Sequence, residues 1–151
     1  VTVRSAQWAA AVGAALDAAV PGSVDLGAVD YVEALLDAFE HDPPRIWAAP
    51  GAWDGPLGTP DDAARAWLEL GPWERQAWQQ RIEGWTAAYD RVAAGSPTDE
   101  DLRLVHQHAC EATYGDPAYG GNRRSGGWRR IGFPEPLHPP VRVDLRAGGN
   151  R

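Results

Sequence analysis

Proline and glycine interrupt the chain at Pro21-Gly22, Gly71-Pro72 and Gly95-Ser96-Pro97, and between these breaks apolar residues recur at helical spacing. Trp8, Val12, Ala15, Leu16 and Ala19 share one face of a helix expected over residues 5–20. Val29, Val32, Leu35, Leu36 and Phe39 do the same over 26–39, and the two segments can close as a helical hairpin. Trp78, Ile82, Trp85 and Tyr89 mark a helix resuming at Pro72. Leu102, Val105, Ala109 and Ala112 mark another over 97–114, with Ser96 as its expected N-cap. Thr59-Pro60-Asp61-Asp62 reads as one more helix start, with a capping hydroxyl, a proline at the first helical position and acids at the positive end of the dipole.

These patterns predict an all-α fold: a small helical bundle of about four to five helices, followed by a long irregular C-terminal segment. The alternating stretch VRVDLR, residues 141–146, leaves room for one short strand without a mate in the chain. At 151 residues a single domain is expected, with a helical body over 1–114 and a Gly/Arg/Pro-rich docking segment over 115–151. Residues 41–58 hold four prolines with Trp47 and Trp53, which predicts a loop draped over the helices. The single cysteine, Cys110, cannot close an intramolecular disulfide. No apolar run approaches the roughly 18 residues of a membrane span. The apolar stretch 8–22 is interrupted by Asp17 and preceded only by Arg4, so it reads as a helix of the domain and not as a secretory signal. A cytoplasmic location is the expectation, with a periplasmic or other extracytoplasmic one if the chain is trimmed or exported with a partner.

Charge is unevenly placed. All 14 basic residues are arginine; residues 1–117 carry 7 of them against 19 acids, and residues 118–151 carry 7 against 2. A basic tail on an acidic body is expected to meet something acidic, either that body or another molecule.

The tail opens with DPAYGGNRRSGGWRRIGFP, residues 116–134, whose two glycine pairs and bracketing prolines predict a shaped loop rather than a helix. It has no GxxxxGK[ST] or GxGxxG spacing for a nucleotide. The acidic chain, with a pI near 5.0, argues against nucleic acid. His106, His108 and Cys110 in HQHACE lack further ligands at zinc or haem spacing, and no serine stands in a GxSxG elbow. No catalytic, cofactor-binding or metal-binding set is assigned. The residue types left over, Trp, Tyr and Arg on a glycine-shaped backbone, are those enriched at interface hot spots.

The same stretch resembles the C-terminal signature of the gluconate 2-dehydrogenase subunit 3 family, in which Asp-Pro-x-Tyr-Gly-Gly-Asn precedes Gly-Trp and then Ile-Gly-aromatic-Pro. Asp116, Pro117, Tyr119, Gly120, Gly121, Asn122, Gly127, Trp128, Ile131, Gly132, Phe133 and Pro134 match it. LDAAVPG with VDYVEALLDAF, and HACEATYGDP, resemble the family's first two helices and the helix leading into its signature. The chain departs from the pattern at Glu135, where the family usually has glycine, and the reading of 8–22 as a helix of the domain leads to the expectation that it differs from the many members that carry an export signal.

The resemblance implies a non-catalytic small subunit of a hetero-oligomer. Its partner would be a large FAD-dependent oxidoreductase of the glucose-methanol-choline type acting on a sugar, sugar acid or glycoside. The small subunit would support the partner's folding, stability or activity in a chaperone-like way, and the FAD and catalytic residues would lie on the large chain. The expected partner interface comprises Asp116, Tyr119, Gly120, Gly121, Asn122, Arg123, Arg124, Trp128, Arg129, Arg130, Ile131, Phe133 and Pro134, with Tyr119 and Trp128 as anchors and the four arginines facing a partner's acids. The alternative is a stand-alone metal- or ligand-binding helical domain using HQHACE.

Overall fold

The computed structural model describes residues 4–46, 67–115 and 121–134. Within them the chain is a small helical bundle, as the periodicity predicts. Helix α1 spans Ala6–Ala19, α2 Ala28–Leu36, α3 Pro72–Ala93, α4 Asp99–Tyr114 and α5 Gly126–Arg130. Single 3-10 turns at Val24–Leu26, Ala38–Glu40 and Arg123–Ser125 join or extend them. The expected helix start at Thr59, the loop tryptophans Trp47 and Trp53, and the strand over 141–146 lie outside the described residues.

The four longer helices pack mutually, and their shared interior is the core: Val12 and Leu16 from α1, Val32 and Leu36 from α2, Tyr89 and Val92 from α3, Val105, Ala109 and Ala112 from α4. Each large apolar side chain buried there contributes on the order of 1.5–3 kcal/mol. Ala109 and Ala112 of α4 belong to this interior with Ala15 and Ala19 of α1 packed against it, and Trp8 of α1 packs on Tyr89 of α3 with ring centres 6.3 Å apart. Ser5 caps α1 by accepting from the Trp8 amide. Arg4 meets Asp37 at 2.6 Å, tying the start of α1 to the end of α2 with both side chains about nine-tenths buried.

The start of α4 differs from expectation. Thr98, not Ser96, is its N-cap, and Pro97 stays outside the helix. In that register Asp101 is the third helical residue and accepts from the Thr98 amide at 2.8 Å while Thr98 Oγ1 accepts from the Asp101 amide. Arg91, from the last turn of α3, adds a bidentate pair to the same carboxylate at 2.6 and 2.9 Å. The apolar stripe also shifts: Leu102 is 48% exposed, and the buried face of α4 runs through Asp101, Val105, His108, Ala109, Ala112 and Thr113.

A second correction concerns residues 121–134. The segment is not only loop, since it contains one 3-10 turn and the short helix α5. Its glycines are there for close approach. Gly121 lies against Ala112, where an added Cβ would sit 2.7 Å from the Ala112 Cα; at Gly127 a Cβ would overlap the Thr113 carbonyl. Tertiary packing of α5 on the end of α4 outweighs the low helix propensity of Gly126-Gly127. The end of α5 is a Schellman motif. The Phe133 amide donates to the Trp128 carbonyl at 2.8 Å, the Gly132 amide to that of Arg129 at 3.3 Å, and Gly132 supplies the left-handed φ of 66°. Phe133 packs on Trp128 at 5.6 Å, the apolar contact such caps carry.

Replacing Gly127 by alanine is expected to destabilise the domain by about 1–3 kcal/mol through overpacking. Urea unfolding measures this, and an unchanged midpoint would contradict the close packing of α5 on α4.

Candidate functional site

Helix α4 ends at Tyr114, and its last carbonyls need donors that the helix cannot supply. The C-terminal segment supplies them. The Asn122 amide donates to Ala112 O at 2.5 Å, its side-chain Nδ2 donates to Gly115 O at 2.8 Å, and Trp128 Nε1 donates to Tyr114 O at 2.7 Å. Asn122 Oδ1 in turn accepts from the Gly127 amide at 2.8 Å, so one fully buried side chain joins α4 to α5. Asn122 sits at φ 45°, a left-handed conformation that asparagine tolerates better than most residues.

The same segment reaches the α1–α2 turn. Arg123 pairs with Asp30 of α2, Arg130 donates to Pro21 O at 3.0 Å, and Gly126 lies against Leu26. Residues far apart in the chain, Pro21-Gly22, Asp30, Tyr114 and the 121–133 stretch, therefore meet at one corner of the bundle.

The expected interface residues divide accordingly. Gly121, Asn122 and Trp128 are buried within the chain's own corner, and Trp128 is 9% exposed with its indole N–H already bound, so it is not a solvent-facing anchor. Arg123 and Arg130, both exposed, have contacts with the chain's own body, to Asp30 and to Pro21 O. The Arg129 guanidinium folds back on the Arg124 carbonyl. Ile131 and Phe133 remain 59% and 52% exposed, with Arg124 and Pro134 also on the surface. Asp116, Tyr119 and Gly120 lie outside the described residues. Sequence reading missed the structural role of Asn122 and Trp128; the spacing of Gly132 and Phe133 after Trp128, which is that of a Schellman cap, was the available signal.

The HQHACE side chains do not converge. His106 and Cys110 are on an outer face, with Sγ 3.8 Å from Nε2 and the thiol half-buried. His108, 1% exposed, turns into the core, its Nδ1 3.0 Å from the Tyr89 hydroxyl, its ring stacked on Tyr89 and set edge-on to Trp85 at 4.8 Å. Glu111 accepts from the Tyr31 hydroxyl and from Gln107 Nε2, each at 2.9 Å. Among the described residues no three His, Cys, Asp or Glu side chains are grouped to hold a metal ion, and no helix is long and apolar enough to cross a membrane.

Burial holds the His108 imidazole below its ordinary range and pushes the Tyr89 phenol up, with the Glu111 charge adding to the latter. A neutral imidazole and a protonated phenol match the hydrogen bond between Nδ1 and the Tyr89 hydroxyl.

The chain matches no protein-family model, and no curated protein and no solved structure matches it. What the fold itself defines is a small α-helical bundle whose C-terminal segment is built into the end of α4.

Two acid-sensitive windows follow from the buried polar groups. His108 takes up a proton more readily in the unfolded chain, so its contribution to stability is lost as pH falls below the free imidazole value of 6.5. The Asp101 carboxyl is held well below the usual range, first by Arg91 and then by the Thr98 amide, so its stabilisation is present above about 4 and lost on further acidification. Denaturant unfolding across this pH range is expected to show both declines. His108→Leu should flatten the upper one alone; an unchanged slope in that variant would assign the effect elsewhere.

Proposed function

We propose that the chain is the non-catalytic small subunit of a hetero-oligomeric, FAD-dependent dehydrogenase of the glucose-methanol-choline type. The large chain would act on a sugar, sugar acid or glycoside and carry both FAD and the catalytic residues. The small subunit would support the folding, stability or activity of that flavoprotein. The residues that carry the resemblance to the gluconate 2-dehydrogenase subunit 3 family support this reading, and so does their arrangement. Those described are drawn from three separate parts of the chain, and they meet in the corner built on the end of α4.

One observation carries the docking role. The corner displays two large apolar side chains, Ile131 and Phe133, on a Schellman-capped turn whose backbone is already bonded. A preorganised turn lowers the ordering cost of association, and exposed apolar groups beside arginine suit a partner surface of mixed apolar and acidic character. Of the two anchors expected from the sequence, Tyr119 lies outside the described residues, and Phe133 and Ile131 take the role assigned to Trp128.

Purification of the tagged chain from its native cell is expected to bring down one large chain with a flavin absorbance spectrum. Ile131→Glu places a charge on an exposed position and should weaken that association by more than about 1 kcal/mol, or roughly fivefold to tenfold, with the fold unchanged by circular dichroism. A monomeric, flavin-free eluate from the wild type would overturn the proposal. Undiminished capture by Ile131→Glu would remove this face from the interface.

A further inference from the structure

On the other side of α4 from its apolar core contacts with α1, a cleft of about 560 Å³ opens between α2, α3, α4 and the extended residues that follow α2. Its size lies within the range of roughly 300–1,000 Å³ typical of small-molecule sites. Leu35, Ile46, Ile82 and Trp85 give it apolar walls. Trp78 stands perpendicular to Trp85 with ring centres 6.5 Å apart, and the Arg81 guanidinium lies over Trp78 at 4.6 Å. Arg45 lines the same cleft.

Charge selects the occupant. Neither Arg45 nor Arg81 has a carboxylate partner among the described residues. Glu111 also borders the cleft, but both its oxygens are occupied, by Tyr31 and by Gln107. In a chain of net charge −7, this is a mostly apolar hollow with a net charge of about +1. The Arg81 guanidinium, set over the Trp78 ring, has the planar fork suited to a carboxylate, whereas a phosphate dianion would leave a charge uncompensated against apolar walls.

From this arrangement we infer that the cleft binds a small monoanionic aromatic carboxylate. The carboxylate lies against Arg81 and Arg45, and the ring lies between Trp85 and the aliphatic wall. This site is separate from the Ile131–Phe133 face and does not depend on the partner proposed for it.

Indole-3-acetate is a suitable probe, with indole-3-acetamide as its uncharged counterpart, titrated calorimetrically into the full-length chain. One equivalent of the acid is expected to bind with a Kd of about 1 mM or tighter, and the amide about tenfold more weakly. Arg81→Gln keeps a good helix former on α3 and Arg45→Gln changes a partly exposed side chain outside any helix, so circular dichroism should be unchanged. Each should weaken the acid severalfold while leaving the amide unaffected. Equal affinity for acid and amide, wild-type affinity in both arginine variants, or no heat of binding up to about 10 mM would each overturn the inference.

Discussion

The free carbonyls at the end of α4 set the terms for this molecule. A helix whose last turn is covered by other chain segments must find donors for those oxygens, because an unbonded buried polar group costs about 1–3 kcal/mol. Here the donors are the Asn122 amide, the Asn122 side chain and the Trp128 indole, all from one stretch beginning only a few residues beyond the helix. Meeting that demand fixes where the stretch lies, and its position brings Arg123 to Asp30 and Arg130 to Pro21. Glycine at 121 and 127 follows from the same geometry, since the carbonyls can be reached only if the backbones nearly touch. Hydrogen-bond satisfaction, close packing and the contact between acidic body and basic tail are therefore one arrangement seen three ways.

The corner leaves a clear division between groups used internally and groups left over. Asn122 and Trp128 have their polar atoms bonded inside the chain, and Arg123 and Arg130 are turned to the α1–α2 region. Ile131 and Phe133 have no such employment on their exposed faces. Exposed ion pairs such as Arg123–Asp30 are each worth little, commonly under about 1 kcal/mol. The backbone bonds and buried indole carry the attachment, and the arginines trim its charge.

Much of the bundle was legible in the sequence because apolar spacing and the Pro-Gly breaks report directly on helix faces and ends. The α1 stripe through Val12 and Leu16 and the α2 stripe through Val32, Leu35 and Leu36 are buried as the spacing predicts. Helix α4 was harder to read, because three of its six buried positions, Asp101, His108 and Thr113, are polar. Their burial depends on partners from elsewhere, such as Arg91 and Tyr89, that no local pattern names. Helix α5 escaped for a related reason: local propensity disfavours a helix at Gly126-Gly127, and only contact with α4 and Leu26 makes small residues the right ones there. The cleft beside Trp78 was invisible because Arg45, Arg81 and Glu111 come from three separate segments.

This division bears on how the family resemblance should be weighed. Gly121, Asn122, Gly127, Trp128 and Gly132 have internal reasons to be what they are: close approach, carbonyl capping and a left-handed turn. Agreement at those positions is agreement about a corner architecture, which any chain needing to close a helix end in this way has reason to use. Evidence for a partner has to come from residues that the corner does not consume, and in the described chain these are chiefly Ile131 and the outer face of Phe133. Phe133 serves both sides of the division, since its inner face packs on Trp128 to complete the cap. Ile131 is 59% exposed, so a charge placed there tests docking while leaving the buried corner of Gly121, Asn122, Gly127 and Trp128 intact.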